Sequence, residues 1–542
     1  MWFTHPGLPQ QSKSRELQDN KSPFSIELYG EIAQYLGDAD KLSLCLTSKS
    51  ICSFVLPYLY SNLRLNDSEC LLRIRFLIAR PYLSRFVREI VLVPSNVKQG
   101  AMQKSVAGEV ELARAVELLA PNLTSLEKFI WDGLEVPDDN LWLALQRCCP
   151  LLRTVGTNLG TRPISPESQL FAFDNLLGFW LSSELRDTHY GPNLEHNQGE
   201  KLPSAFWDML INRSPNLRSL TLGYRGPSLQ ARRTLDITPM VDAKWPKLTT
   251  LVLENCRLEE PSEQEQDRPS LLQSFTNFIF SHQSLKHLSV HGLPDLGYRQ
   301  ALKHLKSLSC AISIGALPLA INTTIEELTL TDEPYNGIAF HAFREYVSTL
   351  PSLKKLSLWM DFTTEDPLAT KYGQIHELRS LVTGCPRLEH LTVICSTKPK
   401  ESFHLRDFSQ VLKGTTLKSI ELWKCHRAGD DGATEVAETL FREHVALEAI
   451  TLRLVHGHRR RRSDSLRIMQ SGLYRVRRAT DGKPEHIFVH EKAGKWLPWI
   501  KVVKLEQDLN RKPDPERQVT MKWLWNKVRG YSSSMLQAVS QT

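Results

Sequence analysis

The stretch Leu353-Lys354-Lys355-Leu356-Ser357-Leu358, entered through Pro351-Ser352, decides how the chain is read. Its apolar residues fall at positions 1, 4 and 6. From Lys355 to Trp359 polar and apolar residues alternate, which is the period of a strand with one buried face. The phrase returns as Leu217/Leu220/Leu222, Leu248/Leu251/Leu253, Leu285/Leu288/Val290, Ile325/Leu328/Leu330, Leu388/Leu391/Val393, Leu417/Ile420/Leu422 and Leu447/Ile450/Leu452. Successive copies start about 28 to 40 residues apart, at or above the long end of leucine-rich-repeat periods. Between copies lie helix-length segments with apolar residues at helical spacing, such as Leu271–Ile279 and Ile375–Val382. Strand, turn and helix in repetition predict an α/β fold, a leucine-rich-repeat solenoid with a curved parallel sheet and outer helices.

Toward the N-terminus the phrase loosens. Val87–Leu92 predicts a first, imperfect repeat strand, followed by a helix over Val110–Leu119 and strands at Leu126/Phe129/Trp131, Leu152/Val155 and Leu176/Phe179/Leu181. Terminal repeats are expected to be irregular because one side of the stack has no neighbour. Glu184–Lys201 and the acidic Glu259–Arg268 read as loops. Past Leu452 the phrase stops. Leu473–Arg477 and His486–Val489 alternate around Asp481-Gly482 and predict a hairpin. Trp496, Trp499, Trp523 and Trp525 then supply apolar surface to close the last repeat.

Ahead of the repeats, Leu28, Ile32, Tyr35 and Leu36 share one helical face, Gly37-Asp38 ends that helix, and Asp40 is positioned to cap the next. A second helical pattern runs over Leu42–Cys52, and Pro57 precedes Tyr58-Leu59-Tyr60. A helical unit this small has a thin core and is expected to dock on something larger.

The order Glu27-Leu28, Ile32, Leu36, Asp40, Leu42, Leu44, Leu46, Lys49, Leu56-Pro57, Leu59-Tyr60 and Leu63 resembles an F-box. Together with the repeats, it makes nearly the whole chain similar to the fungal F-box proteins with C-terminal leucine-rich repeats. Phe24-Ser25 stands where that family has Leu-Pro, with a proline at Pro23 instead. The resemblance implies a substrate-receptor subunit of an SCF-type cullin–RING ubiquitin ligase, serving ubiquitin-dependent protein degradation. Its F-box-like helices would bind a Skp-type adaptor through Phe24, Leu28, Ile32, Leu36, Pro57 and Leu59, and its repeats would bind a protein substrate. The implied division is a leader over 1–21, an F-box-like all-α domain over 22–65, a solenoid over 66–455, a basic cap with hairpin and helix over 456–530, and a tail over 531–542. A scaffold that binds the adaptor without promoting ubiquitin transfer is the alternative, and a repeat-containing regulator of a nucleotide-binding enzyme is a third.

Outward positions of the phrase strands are mostly small and polar: Ser219, Thr221, Thr250, Ser289, Thr329, Ser357, Thr392 and Thr451. One register differs, because Trp359, Ile394 and Trp423 follow the phrase in three successive repeats. They are candidate substrate contacts, since aromatic anchors dominate interface energetics. Folding over the strand ends onto neighbouring loops is the other reading of the same residues.

Composition narrows the classes. Hydrophobic residues make up 41% and charged residues 23% of 542, ordinary values for a folded protein. No apolar run approaches the ~20 residues needed to span a bilayer, and the N-terminus lacks a secretory pattern. The ten cysteines are scattered without disulfide-framework or zinc spacing, which predicts a reducing, intracellular setting, cytoplasmic, nuclear or both. Cys256 and Cys425 sit where repeats of this type place a buried turn residue. From Arg453 onward there are 20 Lys+Arg against 8 Asp+Glu, so the net +7 of the chain resides in its tail and the remainder is net −5. Nucleic acid is accordingly not an expected partner of the main body. Arg459–Arg462 reads as a solvated loop, an import signal or a phosphate-binding loop. His456 and His458 have no Cys or carboxylate at ligand spacing. No Walker, Gly-x-Ser-x-Gly, His-Glu-x-x-His or Gly-x-Gly-x-x-Gly motif occurs, so no catalytic residue, metal ligand or cofactor is assigned.

Overall fold

The computed structural model describes residues 26–66, 69–94, 102–160, 164–184, 200–225, 234–258, 271–291, 304–310, 324–335, 344–345, 347–348, 350–360, 371–395, 404–425, 432–456, 467–479, 482, 484–493 and 497–504. Phe24, the 1–21 leader, most of the two long loops, Arg459–Arg462, His458, Asp481, Trp496, Trp523, Trp525 and the 531–542 tail lie outside them. The chain divides into two compact units, Met1–Leu296 and Gly297–Thr542.

The first unit opens with three helices, α1 (Ile26–Tyr35), α2 (Asp38–Cys45) and α3 (Lys49–Tyr60). The Ser48 hydroxyl caps α3 by accepting the Ile51 N–H at 3.1 Å, satisfying one of the orphan donors of a helix start. Asp40 falls in the first turn of α2 rather than at its cap. Gly37 holds the cap position and supplies no side-chain bond. There Asp38 and Asp40 act on the positive end of the helix by charge alone.

Sheet structure then begins sooner than the repeat phrase predicts. Strand β1 (Asn62–Asn66) pairs in parallel with β2 (Glu89–Val93), Leu65 opposite Leu92, so the segment read as all-α ends in a strand. Helices α4 (Glu69–Ile78) and α5 (Pro81–Ser84) connect the two. The expected alternation follows: α6 (Met102–Leu119), β3 (Lys128–Trp131), α7 (Asp139–Cys148), β4 (Thr154–Asn158), β5 (Gly178–Glu184), α8 (Ser204–Ile211), β6 (Ser219–Arg225), β7 (Thr250–Glu254), α9 (Leu271–Ser281) and β8 (His287–His291). Each strand pairs in parallel with the next in chain order. Three two-residue strands, Glu200–Lys201, Leu235–Asp236 and Cys256–Arg257, form a second parallel ladder, so the predicted loop 184–201 begins and ends in sheet.

The phrase residues are the core. Leu217, Leu220, Leu222, Leu248, Leu251 and Leu253 are each fully buried, and burial of one such side chain contributes about 1.5–3 kcal/mol. Aromatic rings fill the space between sheet and helices, with Phe206 edge-on to Phe179 at 5.5 Å and Trp245 edge-on to Phe278 at 6.1 Å. His282 is buried among them. Its Nε2 accepts the Trp245 N–H at 3.0 Å, which leaves Nδ1 to donate to the Phe278 carbonyl at 2.7 Å. That pair of bonds fits only the neutral ring, and burial lowers its pKa.

The second unit repeats the scheme with β9 (Ser307–Cys310), β10 (Glu327–Tyr335), β11 (Lys355–Met360), α10 (Lys371–Thr383), β12 (His390–Cys395), α11 (Ser409–Leu412), β13 (Ser419–Cys425), α12 (Ala433–Glu443) and β14 (Ala449–His456). The strands again pair in parallel and in chain order. Strand β9 was not expected. Leu305 and Leu308 are buried, and the apparent 40-residue gap from Leu285 to Ile325 is divided by this extra copy. It escapes the pattern because its sixth position is Cys310 instead of an aliphatic residue.

The predicted hairpin is present as β15 (Arg467–Arg478) and β16 (Pro484–Ala493), antiparallel, with β15 laid antiparallel on β14. A third strand, β17 (Leu497–Lys504), pairs with β16 and takes up Trp499, which the sequence suggests only as apolar filling. Arg478 fixes the hairpin to α12. Its Nη2 lies within hydrogen-bond distance of the carbonyls of Phe441, His444 and Leu447, at 3.2, 2.9 and 2.9 Å, the first in the last turn of α12 and the other two in the segment that follows it. Each unit is thus a mixed α/β body, a large parallel sheet in chain order with helices between strands. That arrangement is compatible with a repeat solenoid.

Candidate interaction surfaces

Of the α1–α3 residues, Ala33 and Val55 are fully buried, and Gly30 faces α3. A Cβ on Gly30 would stand 3.3 Å from the Tyr58 ring, a tight contact that the ring would have to shift slightly to relieve. Gln34 Nε2 donates to the Tyr58 hydroxyl at 3.3 Å across the same seam. The opposite faces are apolar and open. Leu28 is 41% exposed, Ile32 42%, Tyr35 90%, Leu42 on α2 52%, and Leu46, the residue just past the end of α2, 79%. Leu36, Pro57 and Leu59 are half-buried. The structure therefore brings Leu28 and Ile32 together on one exposed face of α1, adds Tyr35, Leu42 and Leu46 to the exposed apolar set, and turns Leu36, Pro57 and Leu59 partly inward.

The second candidate surface is the outward face of the sheets. Neighbouring strands in register stack their outward side chains about 4.8 Å apart. In the second unit, Trp359 pairs with Ile394, Ile394 with Trp423, and Trp423 with Arg453, so the predicted row exists in the backbone register. Its end is polar. The Arg453 guanidinium lies 4.4 Å over the Trp423 ring, Trp423 Nε1 donates to Glu421 Oε1 at 2.7 Å, and Arg453 Nε stands 2.9 Å from the same carboxylate oxygen. One face of the ring is thus covered by a cation that its quadrupole attracts. Trp423 and Ile394 are half-buried.

An apolar row that sequence reading missed lies in the first unit. Val91, Ile130, Gly156, Trp180, Thr221 and Val252 occupy one register position across β2 to β7. A Cβ on Gly156 would sit 2.7 Å from Trp180 Cβ and 2.8 Å from Ile130 Cδ1, so glycine at this position lets the two large side chains close over it. The signal was present as apolar residues between the phrase positions, Val91, Ile130 and Trp180, which the phrase pattern does not sample. The equivalent row of the second unit is Ser309, Thr329, Ser357, Thr392, Glu421 and Thr451.

Four described cysteines are held in the thiol form. Burial, with the neighbouring Cys52 thiol second, pushes Cys45 up to about 11. Burial pushes Cys385 up to about 11 and, with Cys148 second, Cys149 to about 12. Cys256, in its predicted buried position, directs Sγ at the carbonyls of Leu222 and Glu254, 3.7 Å from each, and burial raises its pKa as well. All four stay protonated at neutral pH. Among the described residues no cluster of His, Cys, Asp and Glu is arranged to hold a metal ion, and no helix is long and apolar enough to cross a membrane.

No protein-family model matches the chain, and no curated protein matches it. Among solved structures it is similar to the Rad7 and Elc1 complex from yeast, at 14% identity and a TM-score of 0.31, over 72% of this chain and 92% of that one. A likeness at that TM-score carries no argument for fold or function.

Proposed function

We propose that the chain is a non-catalytic substrate receptor of an SCF-type cullin–RING ubiquitin ligase. In this reading α1–α3 form the F-box-like unit that binds a Skp-type adaptor, the two sheet units are a leucine-rich-repeat solenoid that holds a protein substrate, and the cap over 456–530 closes its end. The carrying observation is the exposed apolar face of α1 and α2. Five large apolar side chains stand in solvent on a helical unit with little interior of its own, which is the signature of a surface awaiting a protein partner. The receptor would contribute proximity, raising the effective concentration of target lysines near a bond-forming step performed by other subunits.

The test is co-purification of the full chain with a Skp-type adaptor. Wild-type chain recovers the adaptor, while Leu28→Asp with Ile32→Asp loses it and keeps the thermal unfolding midpoint. Adaptor recovery without ubiquitin transfer to any bound protein moves the chain to the scaffold class. Failure of the wild-type chain to recover adaptor removes the ligase reading.

A further inference from the structure

A cavity of about 550 Å³ opens in the first unit where the three helices meet the leading ends of the strands. Its wall takes Gln34 from α1, Lys41 from α2, Tyr58 from α3, Asn62 at the start of β1, and Arg85 and Arg88 from the segment entering β2. Ser61, Ser125, Glu89 and Glu127 complete the polar part. This is a volume for a small molecule, and the wall is rich in hydrogen-bond donors, whereas a typical small-molecule site is mostly apolar.

Three cations, Lys41, Arg85 and Arg88, face two carboxylates, Glu89 and Glu127, in its wall. Glu89 is engaged at 3.2 Å by Lys128, a cation outside the wall, and Glu127 stands 3.9 Å from Arg88. Lys41 is drawn inward, its side chain 13% exposed, and its carboxylate partner Asp38 lies 3.3 Å away with 82% of its side chain in solvent. The Arg85 guanidinium rests 4.8 Å over the Phe86 ring, and no carboxylate is paired with it among the described residues. A lysine point charge and an arginine fork therefore border one cavity with amide and hydroxyl donors beside them. That set matches a phosphoryl oxyanion, whose oxygens accept from several donors at once.

We propose that this cavity binds a phosphoryl oxyanion, carried either by inorganic phosphate or by a small organic phosphate. Lys41 and Arg85 supply the charge, Arg88 adds a second guanidinium, and Gln34, Asn62 and Ser125 orient the remaining oxygens. Because the wall is built from both the helices and the strand entries, an occupant ties α1–α3 to the edge of the sheet. The inference does not depend on the ligase reading, since it is read from binding to the isolated full chain.

Titrating the full chain with inorganic phosphate, glycerol 3-phosphate and, at matched ionic strength, potassium chloride tests the site. The unfolding midpoint is expected to rise saturably with the phosphoryl probes and not with chloride, because a ligand bound to the folded state alone stabilises it by mass action. Tighter binding of the ester assigns an organic phosphate, and binding of phosphate with exclusion of the ester assigns the free ion. Arg85→Gln with Lys41→Gln weakens binding at least about tenfold, the scale of one charged hydrogen bond. Lys413→Gln, an exposed cation elsewhere in the chain, leaves it unchanged. Arg85 is exposed, so Arg85→Gln alone keeps the fold and the test. Equal shifts from phosphate and chloride, or wild-type affinity in Arg85→Gln and in the double variant, would overturn the proposal.

Discussion

The repeat sheets and the α1–α3 unit treat leucine in opposite ways. In β6 and β7 every phrase leucine is fully buried, whereas Leu28, Leu42 and Leu46 of the helical unit are 41%, 52% and 79% exposed. Both regions are rich in aliphatic residues, so composition does not separate them. The difference is that a strand in a stack has a neighbour on either side and helices above it, while a three-helix unit of this size buries few side chains, Ala33 and Val55 fully among the described residues. Apolar residues in the sheets hold the chain together. Those on α1 and α2 are left for contact with something else.

Core truncation gives the largest effect. Leu220→Ala is expected to destabilise its unit by about 2–5 kcal/mol in a denaturant titration, the range for a buried leucine whose cavity cannot collapse. A loss well under 1 kcal/mol would mean that the phrase leucines are not the core. Trp423→Ala comes next, at roughly 1 kcal/mol, through loss of the Arg453 cation–π contact and the hydrogen bond to Glu421. Loss of substrate binding with that small stability change would place Trp423 at the interface, while unchanged binding would confine it to packing.

The contrast has a pH signature too. His282 is buried as the neutral ring with its pKa lowered, so the stabilisation it gives is fully present above its unfolded pKa near 6.5. That contribution disappears as pH falls through the lowered folded value, because a protonated Nε2 can no longer accept the Trp245 N–H. Stability measured from pH 7 downward should decline, and His282→Gln should flatten that part of the curve. If the wild-type and variant slopes coincide, His282 is not the titrating group.

Tyr35→Ala should move stability by no more than about 0.5 kcal/mol, since its side chain is 90% exposed, yet weaken adaptor recovery. A cooperative loss of fold instead would show that α1 is already packed. Smallest of all is Glu326→Gln. Its carboxylate lies 3.3 Å from Lys306 and 2.8 Å from Lys354, whose hydrogen bonds hold its pKa low. The pairs are exposed and screened, so no resolvable change in the unfolding midpoint is expected.

The strands with leucine at positions 1, 4 and 6 were legible because burial on one face leaves a two-residue period in the chain. Strand β9 was hidden by Cys310, and β1 by its place directly after α3. Strand β17 carries two prominent cues, Pro498 and Trp499, that also suit a loop or a cap. Register was readable for Trp359, Ile394 and Trp423, because stacking copies of one phrase aligns equivalent positions. Their partners were not, since Glu421 and Arg453 reach Trp423 through side-chain geometry. The cavity was illegible for the same reason. Lys41, Arg85 and Ser125 come from three separate segments, and no spacing rule joins them. The exposed face of α1 was half legible: periodicity grouped Leu28, Ile32, Tyr35 and Leu36, but only the packed helices show that Leu36 turns partly inward while the other three stay exposed.

The grip of Arg478 on the end of α12 bears on how the protein would tolerate shortening. With β15 to β17 in place, the ladder after β14 ends on strands that run against it. A chain stopped after His456 would strip the helix of its clasp and leave a row of unmatched amides along β14, inviting foreign strands to bond there. Insolubility, rather than a slightly looser monomer, is what such a truncation should produce.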